Sequence, residues 1–357
     1  MNIEEIFKIE PYSLGKAVKK EVLDQFLSQL TKHHYEHCTP YKRMMDSIGF
    51  DVKKPSSYTE IPFLPVQLFK TNKLISTQEE AEIKILSSSG TSQQNKSSLY
   101  LDKKNAHNQK KALAQIVTSF IGNKRLPMII IDSESVVGNK NELSARAAGI
   151  LGFSLLGTKK IYALNDKLEL NLDLLQNFLL QHKDERIFIF GFTFMVYKYF
   201  YQALSDVNIN IDLSNAVLIH GGGWKKMEAQ SVSGTDFQNK LRSRFRITDI
   251  YDYYGMAEQT GSIFMQCESG NYHASVFSDV VIRRALDFSQ ADIGEEGIIQ
   301  VCSVLPKSYP GHSLLIDDTG ILLGEDTCHC KRLGKYFKIT GRLKNIELKG
   351  CSDAYEN

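Results

Sequence analysis

Continuous apolar runs alternate with amphipathic segments through the middle of this chain. Residues 128–131, 187–190 and 216–219 are short uncharged runs, as expected for strands that are buried on both faces of a sheet. Residues 142–151, 170–181 and 195–204 place apolar side chains at helical spacing. The alternating order of strands and helices predicts an α/β fold with a mainly parallel sheet.

The pattern differs at both ends of this region. Residues 13–34 predict a helix, and residues 84–87 predict a short strand. Residues 55–65 contain three prolines, which disfavour a helix and predict an extended segment. After about residue 270, short strands are predicted at residues 276–282, 297–304, 313–316 and 336–339. They predict a β-rich part packed on the α/β part.

Composition excludes some classes of function. The 357 residues contain 43 Lys plus Arg and 41 Asp plus Glu, and no basic stripe, which argues against a nucleic-acid partner. The N-terminus has neither the basic start nor the apolar core of a signal peptide. Prominent apolar stretches, such as residues 147–158 and 187–197, fall short of the roughly 20 residues that a transmembrane helix needs. We therefore expect a cytoplasmic protein without a transmembrane segment or a disulfide framework.

A polar loop follows the strand predicted at residues 84–87. It groups four hydroxyls around one glycine and then continues to a lysine: Ser88, Ser89, Gly90, Thr91, Ser92 and Lys96. Backbone N–H groups, hydroxyls and a cation suit a polyphosphate, and a polar surface turn is the alternative. A P-loop would need a second glycine where Asn95 stands, so the match to that motif is poor.

Two further loops lie where open α/β sheets bind ligands, directly after predicted strands. One follows the strand at residues 216–219 and contains Gly221, Gly222 and Gly223. Three glycines permit positive φ and let a flat ligand lie against the backbone, and a tight turn is the alternative. The other loop, residues 253–261, reads Tyr-Tyr-Gly-Met-Ala-Glu-Gln-Thr-Gly.

In order and spacing, these loops resemble those of the adenylate-forming (acyl-CoA synthetase-like) superfamily. Residues 88–96 align with its signature, Ser/Thr-Ser-Gly-Thr-Thr-Gly-x-Pro-Lys, with departures at Gln93 and Asn95. Residues 254–258 resemble its Tyr-Gly-x-Thr/Ala-Glu motif. The resemblance implies that Tyr254 and Gly255 contact adenine and that Glu258 binds Mg²⁺, a hard cation held by carboxylates together with phosphates. ATP and Mg²⁺ are therefore the expected cofactors.

Within this superfamily, residues 61–70 and 220–226 resemble the acyl-protein synthetase (LuxE) family, and phenylacetate-CoA ligases are the next nearest. The resemblance implies a large domain over residues 1–340, α/β to about residue 270 and β-rich over about 271–340. Residues 341–357 then form a hinge and a truncated C-terminal tail. It also implies that Asp318, favoured over Asp317, and Arg342 bind ribose or phosphate. Phe192 and Phe194 are expected to line the acyl site.

The tail of the chain bears on the acyl acceptor. Sixteen residues follow Gly341, where superfamily members usually carry a small domain with a catalytic lysine. In acyl-protein synthetases a cysteine near the C-terminus accepts the acyl group, and Cys351 matches it. The resemblance thus implies ATP-dependent activation of a carboxylic acid to acyl-AMP. A fatty acid is the favoured substrate. The acyl group then passes to a protein thiol, either Cys351 or that of a partner such as a reductase, transferase or carrier protein.

Three other functions stay open at this point. The chain is also compatible with an acyl-CoA ligase of the phenylacetate-CoA ligase type. A P-loop-like kinase or ATPase would instead release ADP and phosphate. A non-catalytic nucleotide-binding protein would retain the fold without the reaction.

Four cysteine and histidine residues suggest a metal site. Cys267, His273, Cys328 and Cys330 together form a Cys₃His set, which is typical of structural zinc. The alternative is a group of unrelated core side chains. The sequence therefore predicts zinc in addition to Mg²⁺.

Overall fold

The computed structural model describes residues 2–54, 56–77, 84–87, 97–138, 143–207, 209–224 and 231–343. The chain forms two compact units. The first contains the described residues up to Ala112, Met256–Ser262 and those from Asn271 onward. The second contains Leu113–Gly255 and Ile263–Gly270. The domain boundaries given above stay a prediction. Among the helices of the described residues, none has the length and hydropathy needed to cross a bilayer.

The helices and strands are numbered here in chain order. The helices are α1 Ile3–Ile6, α2 Lys16–His37, α3 Thr39–Ser47, α4 Leu68–Thr71, α5 Lys103–Ile121, α6 Ala145–Ser154, α7 Leu172–Gln181, α8 Thr193–Met195, α9 Ala203–Ser205 and α10 Gly234–Phe245. The strands are β1 Leu64–Pro65, β2 Lys84–Ser87, β3 Ser98–Leu101, β4 Leu126–Ser133, β5 Leu143–Ser144, β6 Gly157–Leu164, β7 Ile187–Phe192, β8 Ala216–Gly221, β9 Asp249–Tyr254, β10 Phe264–Gln266, β11 Tyr272–His273, β12 Ser278–Arg283, β13 Glu296–Ser303, β14 Ser313–Glu325 and β15 Lys335–Arg342.

The second unit is built on a parallel sheet in the order β6-β4-β7-β8-β9, with β10 antiparallel at the β9 edge. The three predicted apolar runs are the central strands β4, β7 and β8. Their interior residues are almost fully buried because helices and neighbouring strands exclude water from both faces. The predicted α/β fold class is confirmed.

Two elements of this unit differ from the sequence pattern. The pattern does not reveal β6, because exposed Lys159 and Lys160 interrupt it, as is common in edge strands. The helix predicted over residues 195–204 is largely a π-helical segment, Val196–Gln202. Its buried Val196 and Phe200 are four residues apart, a spacing that does not distinguish an α-helix from a π-helix.

The first unit contains the predicted β-rich part. Strands β12, β13, β14, β15 and β11 form an antiparallel sheet in that order, and β1 pairs in parallel with β14. Strand β14 is longer than predicted, because residues 317–320 continue the strand and do not form a turn. A register shift against β15 between Thr319 and Gly320 marks a bulge in this part of the strand.

A buried polar network joins helix α2 to this sheet. The Lys19 ammonium donates a hydrogen bond to the Ala274 carbonyl at 2.9 Å, and the Tyr58 hydroxyl donates to the Asp279 carboxylate at 2.7 Å. The Lys335 ammonium, at the start of β15, lies 3.6 Å from the same carboxylate. Burial alone would raise the pKa of Asp279, but the charges of Lys19 and Lys335 hold it below its ordinary value. The network therefore fixes the start of β15, whose other end carries Arg342.

Candidate active site

A short 3₁₀ turn, Ala257–Gln259, carries Glu258 in the first unit. The Gln259 side-chain amide donates hydrogen bonds to the carbonyls of Val301 at 3.1 Å and Gly311 at 2.8 Å. The Tyr309 hydroxyl donates to the Glu258 carbonyl at 2.9 Å. The turn is thus anchored to β13 and to the loop before β14, which fixes the backbone at Glu258.

The Glu258 carboxyl is buried among polar groups. Only 7% of the residue is exposed, and this burial raises the pKa of Glu258. A hydrogen bond from Ser97 and the positive charge of Lys70 oppose that rise, whereas the charge of Asp317 adds to it. Ser97 directly follows the loop at residues 88–96. Ser97, the buried Glu258 carboxyl and the Lys70 ammonium group therefore lie near one another.

Asp317 and Asp318 are adjacent residues on β14, at the point where its register against β13 shifts between Ile298 and Gln300. Asp317 accepts a hydrogen bond from the Gln67 side chain and is the one that acts on Glu258. Asp318 lies opposite Arg342 in the strand register, with 3.3 Å between its Oδ1 and the Arg342 Nε. The two aspartates predicted as candidates are thus adjacent, and Asp317 is the one whose negative charge acts on Glu258.

In the second unit, the carboxyl ends of the parallel strands carry aromatic side chains around the glycine loop. Phe192, Gly221 and Tyr253 are neighbours in register on β7, β8 and β9. A Cβ at Gly221 would lie 2.4 Å from the Tyr253 ring, and one at Gly222 would lie 3.1 Å from the Phe192 ring. Gly222 also has a φ of +78°. These two glycines make room for aromatic rings, whereas a Cβ at Gly223 would contact none of the described residues within 4 Å.

The residues predicted to contact the acyl chain and the adenine lie at this end of the sheet. Phe192 is half-buried, and its ring packs edge-on against Phe190, with 5.9 Å between the ring centroids. Phe194 lies in α8 and packs against the core of the unit. Tyr254 is paired with Phe264 on β10, and a Cβ at the following Gly255 would lie 2.9 Å from the Ile263 side chain.

His220 also lies at this end of the sheet, although it is not among the site residues predicted from the sequence. Its Nδ1 is 3.0 Å from the Thr193 hydroxyl, and burial lowers the pKa of His220 to about 3. The ring is therefore neutral at neutral pH. The sequence feature that could have identified His220 as a site residue is its position directly before the three glycines.

Three of the predicted zinc ligands meet in the first unit. Ligand atoms of His273, Cys328 and Cys330 lie within 4.8 Å of one another, and the Cys330 Sγ is 3.3 Å from the His273 Nε2. The Asn271 side-chain amide donates to the Cys328 sulfur at 3.5 Å. Cys267, the fourth predicted ligand, is buried in the Ile263–Gly270 segment, which belongs to the second unit.

The remaining candidates lie outside the described residues. They are Ser88, Ser89, Gly90, Thr91, Ser92, Lys96 and Cys351.

The fold and the site together define the class of this protein. The structure is similar to 2-hydroxyisobutyryl-CoA ligase in complex with 2-HIB-AMP and CoA, with a TM-score of 0.73 at 13% identity over 94% of this chain and 70% of that chain. It is also similar to the amide bond synthetase McbA from Marinactinospora thermotolerans, with a TM-score of 0.51 at 16% identity over 84% of this chain and 54% of that chain. The chain has the fold of adenylate-forming ligases.

The family is defined by the sequence. The profile of the acyl-protein synthetase, LuxE, family matches residues 2–357, and the chain belongs to that family. The long-chain-fatty-acid–luciferin-component ligase of Vibrio harveyi is 22% identical over 97% of this chain and 90% of its own length. The enzyme of that name from Aliivibrio fischeri is 24% identical over 99% of this chain and 92% of its own length. The protein is thus a ligase that activates a carboxylic acid with ATP, and the predicted family and enzyme class are confirmed.

Proposed function

We propose that this ligase adenylates a long-chain fatty acid and then transfers the acyl group to a cysteine thiol of a protein. The names of the Vibrio and Aliivibrio relatives support a long-chain acid. The aromatic side chains around Phe192 offer an apolar surface that suits an acyl chain. Phe192 and Phe194 are the proposed acyl contacts.

The reaction has two steps. A carboxylate oxygen attacks the α-phosphorus of ATP, the bond from that phosphorus to the bridging oxygen breaks, and pyrophosphate leaves with the electron pair. A thiolate then attacks the acyl carbonyl carbon, the bond to the AMP oxygen breaks, and AMP leaves as the thioester forms. The thiol proton goes to solvent. The first step depends on positioning and charge neutralisation more than on covalent help from the protein.

One observation carries the proposal: the hydrogen bond between Ser97 and the buried Glu258 carboxyl. It brings Ser97, the residue directly after the serine-rich loop, to the glutamate of the Tyr-Gly-x-Ala-Glu motif. A phosphate-binding loop and a metal-binding carboxylate must lie side by side if they act on the same triphosphate. The loop residues Ser88, Ser89, Gly90, Thr91, Ser92 and Lys96 are the proposed phosphate contacts.

The donor set around Glu258 fits Mg²⁺. A buried carboxylate that its surroundings disfavour as an anion is one that a cation would stabilise. Mg²⁺ usually takes one or two carboxylates and completes its shell with water and phosphate oxygens. Glu258 would hold the ion, which would neutralise phosphate charge.

The nucleoside contacts are proposed from the two units separately. Tyr254, Gly255 and the glycine loop, Gly221 to Gly223, would contact adenine. Asp318 would accept hydrogen bonds from the ribose hydroxyls, because a carboxylate provides two acceptor oxygens. Arg342, already beside Asp318, would contact ribose or phosphate.

The acyl acceptor is proposed to be Cys351, which then passes the acyl group to a partner such as a reductase, a transferase or a carrier protein. CoA is the competing acceptor. The cytoplasmic location and the lack of a nucleic-acid partner stay predictions.

The decisive experiment is ATP–pyrophosphate exchange measured over a panel of carboxylic acids. We expect exchange that depends on the acid and increases with chain length, because each buried CH₂ contributes about 0.8 kcal/mol. A short acid with the same headgroup is the matched control. Exchange without any acid dependence, or release of ADP and phosphate, would contradict the proposal and favour a kinase or ATPase.

We also propose that Cys267, His273, Cys328 and Cys330 bind one structural zinc ion. Tetrahedral zinc with bonds of about 2.3 Å to sulfur and about 2.0 Å to nitrogen holds its ligand atoms about 3.5–3.8 Å apart. The spacing among His273, Cys328 and Cys330 approaches this geometry. The Asn271 amide would stabilise a thiolate at Cys328 by donating to its sulfur.

Protein purified without added metal is expected to contain one zinc per chain, and chelation is expected to lower its Tm, because structural zinc contributes directly to folding free energy. Elemental analysis and thermal unfolding measure the two effects. Cys328→Ser should lose the zinc, whereas Cys302→Ser, which changes a buried cysteine outside this set, should retain it. A stable protein without metal would contradict the zinc site, and the four residues would then be unrelated core side chains.

A further inference from the structure

The position of helix α4 is set by four contacts within the first unit. Strand β1 pairs with β14 through Leu64 and Pro65, and the Val66 amide donates to the Leu315 carbonyl at 2.9 Å. The Gln67 side chain then donates to Asp317. Phe69 is 1% exposed and packs edge-on against the ring of Tyr309, with 6.0 Å between centroids. The short helix therefore has a defined orientation on β14 and beside the turn that carries Glu258.

This orientation decides where the Lys70 side chain points. Gln67 and Lys70 are three residues apart, so they lie on the same side of the helical turn. Since Gln67 contacts Asp317, Lys70 faces the region of Asp317 and Glu258, while Phe69 faces the core. The Lys70 side chain is exposed, and its charge nonetheless acts on the Glu258 carboxyl.

Charge balance gives this lysine a role. Among the described residues, three carboxyl side chains lie in this region: Glu258, Asp317 and Asp318. The Arg342 guanidinium lies beside Asp318. A triphosphate brings several more negative charges, and separating pyrophosphate from AMP requires cations that contact the departing oxygens. An ammonium on a flexible stem is a suitable point charge for phosphate.

We propose that Lys70 binds the polyphosphate of ATP and stabilises the departing pyrophosphate during adenylation. The inference rests on the proposed function of the Glu258 site. It assigns to the segment at residues 61–70 a direct part in catalysis: β1, Gln67 and Phe69 hold the helix, and Lys70 supplies the charge. A surface lysine without a ligand is the alternative, and it predicts no effect on nucleotide affinity.

The test compares Lys70→Gln, Lys70→Arg and Lys73→Gln. Lys73 is a matched control, because it is an exposed lysine three residues further along the chain. Calorimetric titration with ATP and with inorganic pyrophosphate measures binding, and acid-dependent ATP–pyrophosphate exchange measures catalysis. We expect Lys70→Gln to weaken the binding of both ligands about tenfold and to lower exchange by about 10- to 100-fold. Lys70→Arg should retain most of the affinity, and Lys73→Gln should match wild type.

Salt dependence provides a readout that a merely structural role would not change. If Lys70 contacts phosphate, ATP affinity of the wild type should fall more steeply with ionic strength than that of Lys70→Gln. Equal ATP affinity and equal exchange in wild type and Lys70→Gln would overturn the proposal for Lys70, while the Glu258 assignment could stand. A wild type without acid-dependent exchange would overturn the proposed function, and Lys70 with it.

Discussion

Glu258→Gln is expected to lower acid-dependent ATP–pyrophosphate exchange by at least about a hundredfold, comparable to the loss of one preorganised electrostatic contact. The amide retains the size of the carboxyl and can still accept the hydrogen bond from Ser97, but it lacks the charge that a magnesium ion requires. Exchange rates measured at saturating acid over a range of Mg²⁺ concentrations would separate a weaker metal site from a slower reaction.

The same substitution is not expected to destabilise the protein. Burial raises the pKa of Glu258, so folding penalises its ionised form, and a neutral amide removes that penalty. We therefore expect a Tm equal to or slightly above that of wild type. Glu21→Gln, at an exposed position on α2, serves as the control and should change neither quantity. Normal exchange in a well-folded Glu258→Gln protein would remove this residue from the active site.

Cys351→Ser is expected to abolish covalent acylation of the protein while ATP–pyrophosphate exchange continues. The two half-reactions use different groups: exchange requires only the adenylation site, and thioester formation requires the thiol. Cys351 lies outside the described residues, so this expectation comes from the sequence and the family.

Mass spectrometry after incubation with ATP and the acid measures the acylation. Wild type should gain one acyl mass, which hydroxylamine at neutral pH should remove, because thioesters are sensitive to it. Ser352→Ala, next to the acceptor, should still be labelled. If Cys351→Ser is acylated like wild type, or if wild type passes acyl groups only to CoA, the acyl-CoA ligase alternative replaces the present proposal.

The sequence predicted the central strands well because their physical signal is local. A strand in the middle of a parallel sheet is buried on both faces, so it must be an uninterrupted apolar run, as β4, β7 and β8 are. The edge strand β6 has no such requirement and was missed. Helix α10 was also missed, although it buries Phe237, Leu241 and Phe245 at a spacing of four residues.

In the candidate site, too, some features could be predicted from the sequence and others could not. The glycine loop could be located from its composition, but its packing role could not, because the rings that Gly221 and Gly222 accommodate come from other strands. The resemblance favoured Asp318, whereas the negative charge that acts on Glu258 is that of the neighbouring Asp317. The choice between two adjacent residues depends on how β14 pairs with its neighbours and on the bulge at this point, which no local pattern in the sequence encodes.

By itself, the sequence determined the fold class, the family and the motifs that carry the chemistry, since these depend on residue types and on their order along the chain. The tertiary structure alone decided that Ser97 reaches the Glu258 carboxyl, that Gln67 contacts Asp317 and that Lys70 lies within the electrostatic reach of Glu258. These contacts join residues far apart in the chain. They exist because β1 pairs with β14 and because Tyr309 packs between Phe69 and the Glu258 turn, and no local pattern encodes such pairings.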